Sequence, residues 1–316
     1  MAGIKKSIHE KLTDPDWKVR WAMAKRVKSA PMDGEDVNIK ERSSCFTEKE
    51  IERGLTDEHW RVREAWASRT DFTPTPEQIE RGLTDNNYAV QVAWLQRSDF
   101  QCTPEQIERA LTEESEFVRY ACAQRSDFTP TPTDIERGLT DSSRYVRQAW
   151  AERTDFSPTP EQVERGLHDT SWTVRAAWLK RTDFTLKSEQ VDNLIIDTEQ
   201  KIRYIISQRT DCTPTPEQVE KGLTDEDDQV RLMWAQRSDY QASSGQIRRG
   251  LKDKNLDIKI AWIMKKEFSP SPFEVQRGLQ HKNHRMRRAW EEKVASMHES
   301  ASEMTLEADD AMYSSL

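Results

Sequence analysis

Cysteine is scarce in this sequence, and its few copies form no pattern. The 316 residues include four cysteines, Cys45, Cys102, Cys122 and Cys212, none of them in a CxxC spacing. The sequence therefore indicates neither a zinc site nor a disulfide framework. No apolar run approaches the length of a membrane span, and no signal peptide is recognisable. These absences predict a soluble, cytoplasmic protein in a reducing compartment, with no membrane partner.

The sequence also lacks the residue patterns of most catalytic sites. It shows no Ser-His-Asp order, no glycine-rich phosphate loop and no pair of carboxylates that stands apart from the repeated background. His281 and His284 form one HxxH pair, but the spacing supplies no third metal ligand. We therefore expect a protein that is not an enzyme, with no cofactor, no metal and no small-molecule substrate.

Charge is unevenly distributed along the chain, whose formal net charge is -8. Residues 1–28 carry 8 Lys/Arg against 3 Asp/Glu, and residues 245–293 carry 13 against 6. Residues 29–244 carry 27 against 42, and the segment 294–316 carries 5 acids and no Lys/Arg. The uniform basic stripe that is typical of nucleic-acid-binding proteins is therefore absent from most of the length.

One phrase returns every 28 residues, and each copy has a leucine or isoleucine as its anchor. The anchors are Leu55, Leu83, Leu111, Leu139, Leu167, Ile195, Leu223, Leu251 and Leu279, with an outlying copy at Leu12. A unit of this size cannot bury its own apolar face, so the copies must stack. The sequence predicts an all-α fold, a right-handed α-solenoid of about ten two-helix repeats.

The solenoid is predicted as one domain over residues 1–293, because a stack grows at its ends without a second core. Repeat 1 spans about 8–28, and the regular repeats span about 46–293. The long separation between the first two anchors predicts a projecting insertion at about 29–45. The repeat pattern stops after Lys293. We expect residues 294–316 to form an acidic C-terminal tail that is flexible or caps the stack.

The copy over residues 75–103 shows how each repeat is built. Thr75 is followed by proline and, three residues later, by Gln78, a pattern that predicts a capping box at the start of the first helix. A second helix follows with Val90, Ala93 and Trp94 at the i, i+3 and i+4 spacing of a buried stripe. Each repeat therefore predicts two short helices, which we name the A helix and the B helix.

The phrase Thr-Pro-x-x-Ile-x-x-Gly-Leu-x-Asp, followed by Val-Arg-x-Ala, resembles the leucine-rich-variant repeat and, more broadly, HEAT-type repeats. The resemblance covers about residues 8–293 and implies a HEAT-like α-solenoid. The period is long for the leucine-rich variant and short for HEAT, and the recurring tryptophan of the B helix is peculiar to this chain. Solenoids of this kind mostly bind other macromolecules, so the resemblance implies a protein-binding scaffold by analogy.

Glycine occupies the position before the anchor in seven repeats. These glycines are Gly54, Gly82, Gly138, Gly166, Gly222, Gly250 and Gly278. A glycine inside a helix destabilises it by roughly 1 kcal/mol relative to alanine, so its recurrence requires a reason. We expect that the backbone of the neighbouring repeat approaches closely at this position.

Recurring arginines, aspartates and tryptophans admit both a structural and a functional reading. An arginine lies eight residues after most anchors and an aspartate two residues after, as in Arg63 and Asp85. A phosphate-binding stripe is one reading. We favour a ladder between repeats, because paired acids cancel the field that phosphate binding needs. The second pair, Arg69 with Asp71 and its equivalents, is interpreted in the same way. The recurring tryptophans are predicted to fill the core and not to stack with bases.

A second set of aromatic residues lies at the start of the B helices. Its members are Trp17, Trp60, Tyr88, Phe117, Tyr145 and Trp172. Phe117 and Tyr145 lie one residue later in the repeat than the other four. The position of those four is elsewhere mostly polar, as in Gln200 and Asp228, though Leu256 also occupies it, so the framework does not require an aromatic there. Exposed aromatics on one edge are typical of interaction hot spots. Partial burial against the preceding turn explains them equally well, so both readings stay open.

Three functions are compatible with these patterns. The first is a non-catalytic scaffold or adaptor that binds a protein partner along the variable edge or concave face. The second is an inhibitor whose acidic middle mimics nucleic acid and binds a DNA- or RNA-handling protein. The third is direct nucleic-acid binding through a basic end, with Arg248, Arg249, Arg285, Arg287 and Arg288 as candidate contacts.

Overall fold

The computed structural model describes the chain over residues 8–25 and 46–313, with side chains described up to residue 298. Within these ranges the protein is all-α, with twenty helices and no strand, as predicted. The predicted insertion at 29–45 lies outside the described residues. Within each of the two compact units described below, successive helical pairs pack against one another in chain order, which is consistent with a helical solenoid.

The twenty helices alternate between A helices, which carry odd numbers, and B helices, which carry even numbers. The first ten are α1 Ile8–Leu12, α2 Trp17–Ala24, α3 Glu48–Leu55, α4 Trp60–Ala67, α5 Pro76–Leu83, α6 Tyr88–Leu95, α7 Pro104–Leu111, α8 Glu116–Ala123, α9 Pro132–Leu139 and α10 Arg144–Glu152. The remaining ten are α11 Pro160–Leu167, α12 Trp172–Lys180, α13 Ser188–Leu194, α14 Gln200–Gln208, α15 Pro216–Leu223, α16 Asp228–Gln236, α17 Ser244–Gly250, α18 Leu256–Met264, α19 Pro272–Leu279 and α20 His284–Tyr313.

The chain divides into two compact units between Gln162 and Val163, inside α11. We call residues up to 162 the first unit and residues from 163 the second unit. The boundaries proposed from the sequence, with one domain over 1–293 and a tail over 294–316, stay predictions. The last helix, α20, continues across position 293 to Tyr313.

The A helices begin where the sequence places a capping box. In α5, Thr75 accepts a hydrogen bond from the backbone N–H of Gln78, whose side-chain oxygen accepts one from the backbone N–H of Thr75 at 3.0 Å. Pro76 occupies the first helical position, where its missing N–H removes no helical bond. The B helix α6 begins after Asn87, whose side chain accepts a hydrogen bond from the backbone N–H of Ala89. These caps explain why helices of only eight residues start at fixed positions.

The core of each repeat lies between its A and B helices, and in most repeats the largest buried side chain is on the B helix. Within each unit, neighbouring B helices pack closely along the stack, whereas neighbouring A helices scarcely touch. The recurring tryptophans are buried, with exposed fractions of 7% or less, which confirms that they fill the core. They are Trp66, Trp94, Trp150, Trp178, Trp234, Trp262 and Trp290.

The recurring glycine makes room for this tryptophan, and the predicted contact with a neighbouring backbone is wrong. A Cβ atom placed on Gly82 would lie 2.0 Å from Nε1 of Trp94, in the B helix of the same repeat. The same clash would occur in the other six repeats that contain glycine, at 2.2 Å between Gly54 and Trp66, for example. The glycine therefore leaves the space in which the indole ring packs between the two helices of one hairpin.

Two repeats that lack the glycine also lack the tryptophan. Ala110 stands in the glycine position of α7, and Cys122 replaces the tryptophan of α8; both are buried. In the second unit, Leu194 and Ile206 occupy the two positions, and both are again buried. A larger residue on the A helix therefore occurs with a smaller residue on the B helix, which keeps the packed volume similar.

Candidate functional site

Arginines of the B helices form a ladder with aspartates of the following repeat. Nε of Arg63 donates to Oδ2 of Asp85 at 2.6 Å, and its Nη2 donates to Oδ1 at 2.8 Å. Nη1 of Arg63 donates to the backbone oxygen of Asp57, in the turn of its own repeat, at 2.8 Å. We call this arrangement the turn ladder. Its rungs are Arg20–Asp57, Arg63–Asp85, Arg119–Asp141, Arg175–Asp197, Arg203–Asp225 and Arg231–Asp253.

The rungs of the turn ladder are largely removed from solvent. The side chains of Arg119 and Asp141 are 13% and 7% exposed. The hydrogen bonds that Arg119 donates to Asp141 raise the pKa of Arg119, and those that Arg63 donates to Asp85 raise the pKa of Arg63. Each aspartate also accepts a backbone N–H in its own turn, for example that of Asn87 on Asp85 at 2.9 Å. The ladder reading of these arginines is thus confirmed.

The second arginine series also joins repeats. Nε and Nη2 of Arg97 donate to the two carboxylate oxygens of Asp99, at 2.9 and 2.5 Å. Nη1 of Arg97 reaches back to the preceding B helix and donates to the backbone oxygen of Ala67 at 2.9 Å. We call this arrangement the carbonyl ladder. In the last repeats a lysine takes the same place, with Nζ of Lys293 donating to the backbone oxygen of Lys265 at 2.8 Å.

A third ladder runs over the exposed side of the A helices and was missed in the sequence. Glu52 accepts hydrogen bonds from Nη2 of Arg81 at 2.9 Å and from Nε2 of Gln78 at 3.0 Å. The bond to Arg81 lowers the pKa of Glu52. The side chains of the Arg81–Glu52 pair are 42% and 44% exposed. The sequence contains a pattern that could have predicted this ladder, because glutamate and arginine recur at fixed positions of the A helix.

The six predicted edge aromatics lie in the first turns of B helices, and three of them are about half exposed. Tyr88 and Phe117 are each 50% exposed and Tyr145 is 47% exposed, whereas Trp17, Trp60 and Trp172 are partly buried. In the first unit, successive repeats each contribute one of these aromatics. We call the resulting edge the B edge, and its residues are Trp17, Trp60, Tyr88, Phe117 and Tyr145.

Most edge aromatics contact a cation of this chain. The guanidinium of Arg61 lies 5.4 Å from the ring of Trp17 and 5.2 Å from that of Trp60. The imidazole of His59 stacks on Trp17 at 3.9 Å between centroids.

The same holds farther along the chain. Arg144 lies 4.8 Å from the ring of Tyr145 and donates to its hydroxyl at 2.9 Å. In the second unit, Nζ of Lys201 lies 4.5 Å from the ring of Trp172.

Tyr88 and Phe117 pack against each other, with ring centroids 5.3 Å apart and an angle of 21° between the planes. Tyr88 is the first residue of α6, and Phe117 is the second residue of α8. The described residues place no cation over either ring. This pair therefore differs from the other edge aromatics.

The turn ladder is interrupted beside this pair. Gln91 stands where other B helices carry arginine, and Glu113 stands where the next turn carries aspartate. Nε2 of Gln91 donates to the backbone oxygen of Asp85 at 2.7 Å, but its Oε1 is buried and accepts no hydrogen bond. The carboxylate of Glu113 makes no ion pair or hydrogen bond with another described side chain, although its backbone oxygen accepts one from Nη1 of Arg119 at 2.8 Å. This gap was not predicted, although both departures from the repeat are visible in the sequence.

The candidate basic end is partly neutralised. Arg249 pairs with Glu220 at 2.6 Å, Arg285 pairs with Asp257, and Arg288 pairs with Glu292 at 2.9 Å. Nη1 of Arg287 donates to the backbone oxygen of His281 at 2.8 Å, and Arg248 is exposed on α17. Arg248 and Arg249 lie on α17, whereas the other three lie on α20. A nucleic-acid role for these five residues stays a prediction.

The second unit has an open groove of about 650 Å³ between the B helices α16 and α18. Its walls include Leu232, Ile260, Met264, Lys266 and Glu267. Over the described chain, no cluster of three His, Cys, Asp or Glu residues could hold a metal ion. In the same ranges, no helix is both long enough and apolar enough to cross a membrane.

No protein-family model matches the sequence, and no curated protein matches it. Among solved structures, a similar chain is a leucine-rich repeat variant with a novel repetitive protein structural motif. The two chains are 22% identical, and the match covers 67% of this chain and 78% of the other, with a TM-score of 0.48.

Proposed function

We propose that this protein is a non-catalytic scaffold that docks a protein partner along the B edge of its first unit. A helical-repeat fold is compatible with a binding scaffold in general, because stacking produces a long surface and few enclosed sites. The exposure of Tyr88, Phe117 and Tyr145 carries the proposal, since each ring leaves about half of its surface in water.

The fold does not require these aromatics. In the second unit, Gln200 and Asp228 occupy the position of Tyr88, and their B helices form in the same way. Aromatic side chains bury a large area with little loss of rotamer freedom, so they are common anchors of protein interfaces. The three ladders involve framework residues, which leaves the edge residues free to vary between repeats.

The geometry favours this function over the two nucleic-acid hypotheses. A phosphate mimic needs carboxylates that face solvent, but those of Asp85 and Asp141 are bonded to arginines and are about 10% and 7% exposed. Direct binding of nucleic acid needs free cations. Three of the five candidate arginines form ion pairs with acids of this chain.

Affinity capture with matched variants tests the proposal. The edge variant carries Tyr88→Ser, Phe117→Ser and Tyr145→Ser, and the control carries Phe273→Ser, which removes a 71% exposed aromatic from the A helix α19. We expect the wild type and the control to capture the same protein from nuclease-treated native lysate, and the edge variant to lose it. All three forms should melt within a few degrees of one another.

Capture that is equal for the wild type and the edge variant would overturn docking at the B edge. So would recovery that disappears with nuclease treatment, because the bound material would then be held through nucleic acid.

A further inference from the structure

We propose that Tyr88, Phe117 and the neighbouring carboxylates bind an arginine or lysine side chain from a basic segment of the partner protein. This inference rests on the proposed docking function and specifies the chemistry of one position on the B edge. We call the position the cation site, and it comprises Tyr88, Gln91, Glu113, Glu114 and Phe117.

The aromatic pair offers ring faces without a cation of its own. Tyr88 and Phe117 are half exposed and stacked on each other. Trp60 and Tyr145, on the flanking repeats, each lie within 5.2 Å of an arginine of this chain. A cation at such a distance from a ring is stabilised by the ring quadrupole. At the cation site, no group among the described residues supplies that charge, and an external group can do so.

The carboxylates beside the pair form no ion pair with a described side chain. Glu113, Glu114 and Glu116 lie within four residues, and the B helix α8 begins at Glu116. The nearest arginine on that helix, Arg119, is bonded to Asp141 of the next repeat. Nη1 of Arg119 donates to the backbone oxygens of Glu113 and Glu114, each at 2.8 Å. No described side chain donates to the carboxylate groups of these two residues or forms an ion pair with them.

Gln91 adds a second, independent sign that a donor is missing. Its side chain is 8% exposed, and Oε1 is buried without a hydrogen bond. Its Nε2 already donates to the backbone oxygen of Asp85, so the amide atom without a partner is the acceptor. In the intact rungs, this region holds the guanidinium that joins one repeat to the next. Here the rung contains acceptors and no positive charge.

A guanidinium meets these requirements best. It carries five N–H donors, accepts no hydrogen bond and is always charged, and its planar face stacks on aromatic rings. An ammonium group has the same charge and three donors, so a lysine is the alternative source of the same chemistry. The excess of acidic residues over 29–244 complements a basic segment around the anchoring side chain.

Synthetic peptides test the site on the full-length protein. The probes are twelve-residue Gly/Ser peptides that contain two arginines, two lysines, two glutamines or two glutamates. The protein carries 3-fluorotyrosine, and the Tyr88 fluorine resonance is assigned with Tyr88→Phe. We expect the arginine and lysine peptides to shift the Tyr88 signal in a saturable way, and the glutamine and glutamate peptides to leave it in place.

Matched variants then locate the binding. We expect Glu113→Gln with Glu114→Gln to weaken the arginine peptide about tenfold, since two charge-assisted contacts are lost. Glu77→Gln with Glu105→Gln changes the net charge equally on the A helices, and should leave the affinity unchanged. Gln91→Arg should weaken the peptide to a similar extent, because the new arginine completes the rung with Glu113.

Equal binding of the glutamine and arginine peptides would overturn the cation site, as would an affinity that survives both Glu113→Gln with Glu114→Gln and Phe117→Ser. The two proposals fail separately. If the edge variant loses its captured protein but no basic peptide binds, docking stands and the cation site falls. If the arginine peptide binds but capture is unchanged in the edge variant, the cation site stands and the docking function falls.

Discussion

At the scale of single residues, the glycine of the A helix and the tryptophan of the B helix act as one unit. Gly82 leaves space that the indole ring of Trp94 fills, and the ring is 1% exposed. The Ala110 and Cys122 repeat shows that the pair can change together. A change at one position alone either overfills the space or leaves a void.

This dependence predicts strong coupling between positions 110 and 122. Cys122→Trp alone should destabilise the protein by about 1–3 kcal/mol or more, because the ring would meet the Cβ of Ala110. Ala110→Gly with Cys122→Trp should recover most of that loss and give an interaction energy of at least about 1 kcal/mol. Urea unfolding of the two single variants and the double variant measures it. Additive effects would contradict the shared space.

The aspartates of the carbonyl ladder predict how stability depends on pH. Hydrogen bonds from Arg181 and Arg209 lower the pKa of Asp183 and of Asp211 below the value of a free aspartate. A carboxyl whose pKa is lower in the folded state stabilises the protein above its unfolded pKa, about 4, and loses that contribution as the pH falls. We expect the free energy of unfolding to be nearly constant from pH 7 to about 5 and to decrease below about 4.

Urea unfolding across this pH range checks the sign. Asp211→Asn serves as the comparison, because it removes one of the titrating groups and should make the decrease at low pH smaller. A stability that rises as the pH falls from 5 to 3 would contradict the direction of these shifts.

At the scale of helices, burial separates the ladders. The turn ladder lies between repeats with little exposed surface, whereas the ladder over the A helices is open to water. Solvent screens exposed pairs and leaves them with little net contribution, whereas a buried charge without its partner is strongly destabilising. An ion pair of an arginine and an acidic residue therefore contributes differently to the stability of the protein, depending on whether it lies in the turn ladder or on the A helices.

Two matched substitutions test this difference. Arg119→Gln leaves Asp141 without its guanidinium and should destabilise the protein by about 3 kcal/mol. Arg109→Gln removes the exposed pair with Glu80, whose side chains are 40% and 48% exposed, and should change stability by less than about 1 kcal/mol. Urea unfolding of both variants under identical conditions provides the comparison. Equal effects would show that burial does not set the contribution of these rungs.

The sequence predicted the helices well because their starts are encoded locally. A capping box such as Thr75 with Gln78 lies within four residues, and the buried stripe of Val90, Ala93 and Trp94 lies on one helix. The partner of Gly82 was predicted wrongly because the contact depends on how two helices pack within the hairpin. The period shows which positions recur, but not which side chains meet.

The candidate site was predicted only in part. The edge aromatics were identified because other repeats have no aromatic residue at the equivalent positions. Their exposure could not be predicted, because it depends on the packing of successive B helices. The gap between Gln91 and Glu113 became meaningful only after the intact rungs showed what an arginine does in that place.

At the scale of the whole chain, a strict period means that one repeat can pack against another in place of its usual neighbour. Each repeat contacts mainly the copies before and after it, so stability is nearly a sum of repeat and interface contributions. Removal of one full period should therefore leave a folded protein, provided that the new junction restores a cap and a rung.

Deletion of residues 76–103 meets both conditions. Thr75 then precedes Pro104, with Gln106 three residues after the cap, and Arg63 faces Glu113 in place of Gln91. We expect unchanged helicity per residue in circular dichroism and one cooperative thermal transition. Deletion of residues 76–89 breaks the register and is the control that should lose helicity. A disordered product from the in-register deletion would contradict the exchange of repeats.

The carbonyl ladder has a direction that matters while the protein is being made. The backbone oxygen of Ala67 receives its bond from Arg97, which is 30 residues closer to the C-terminus. A ribosome releases the chain from its N-terminus, so the last carbonyls of a newly emerged B helix stay hydrated until the next repeat leaves the exit tunnel. We expect the earlier repeats of the growing chain to be folded, with their carbonyl bonds formed. Only the newest repeat would have unbonded carbonyls, and a chaperone would bind there.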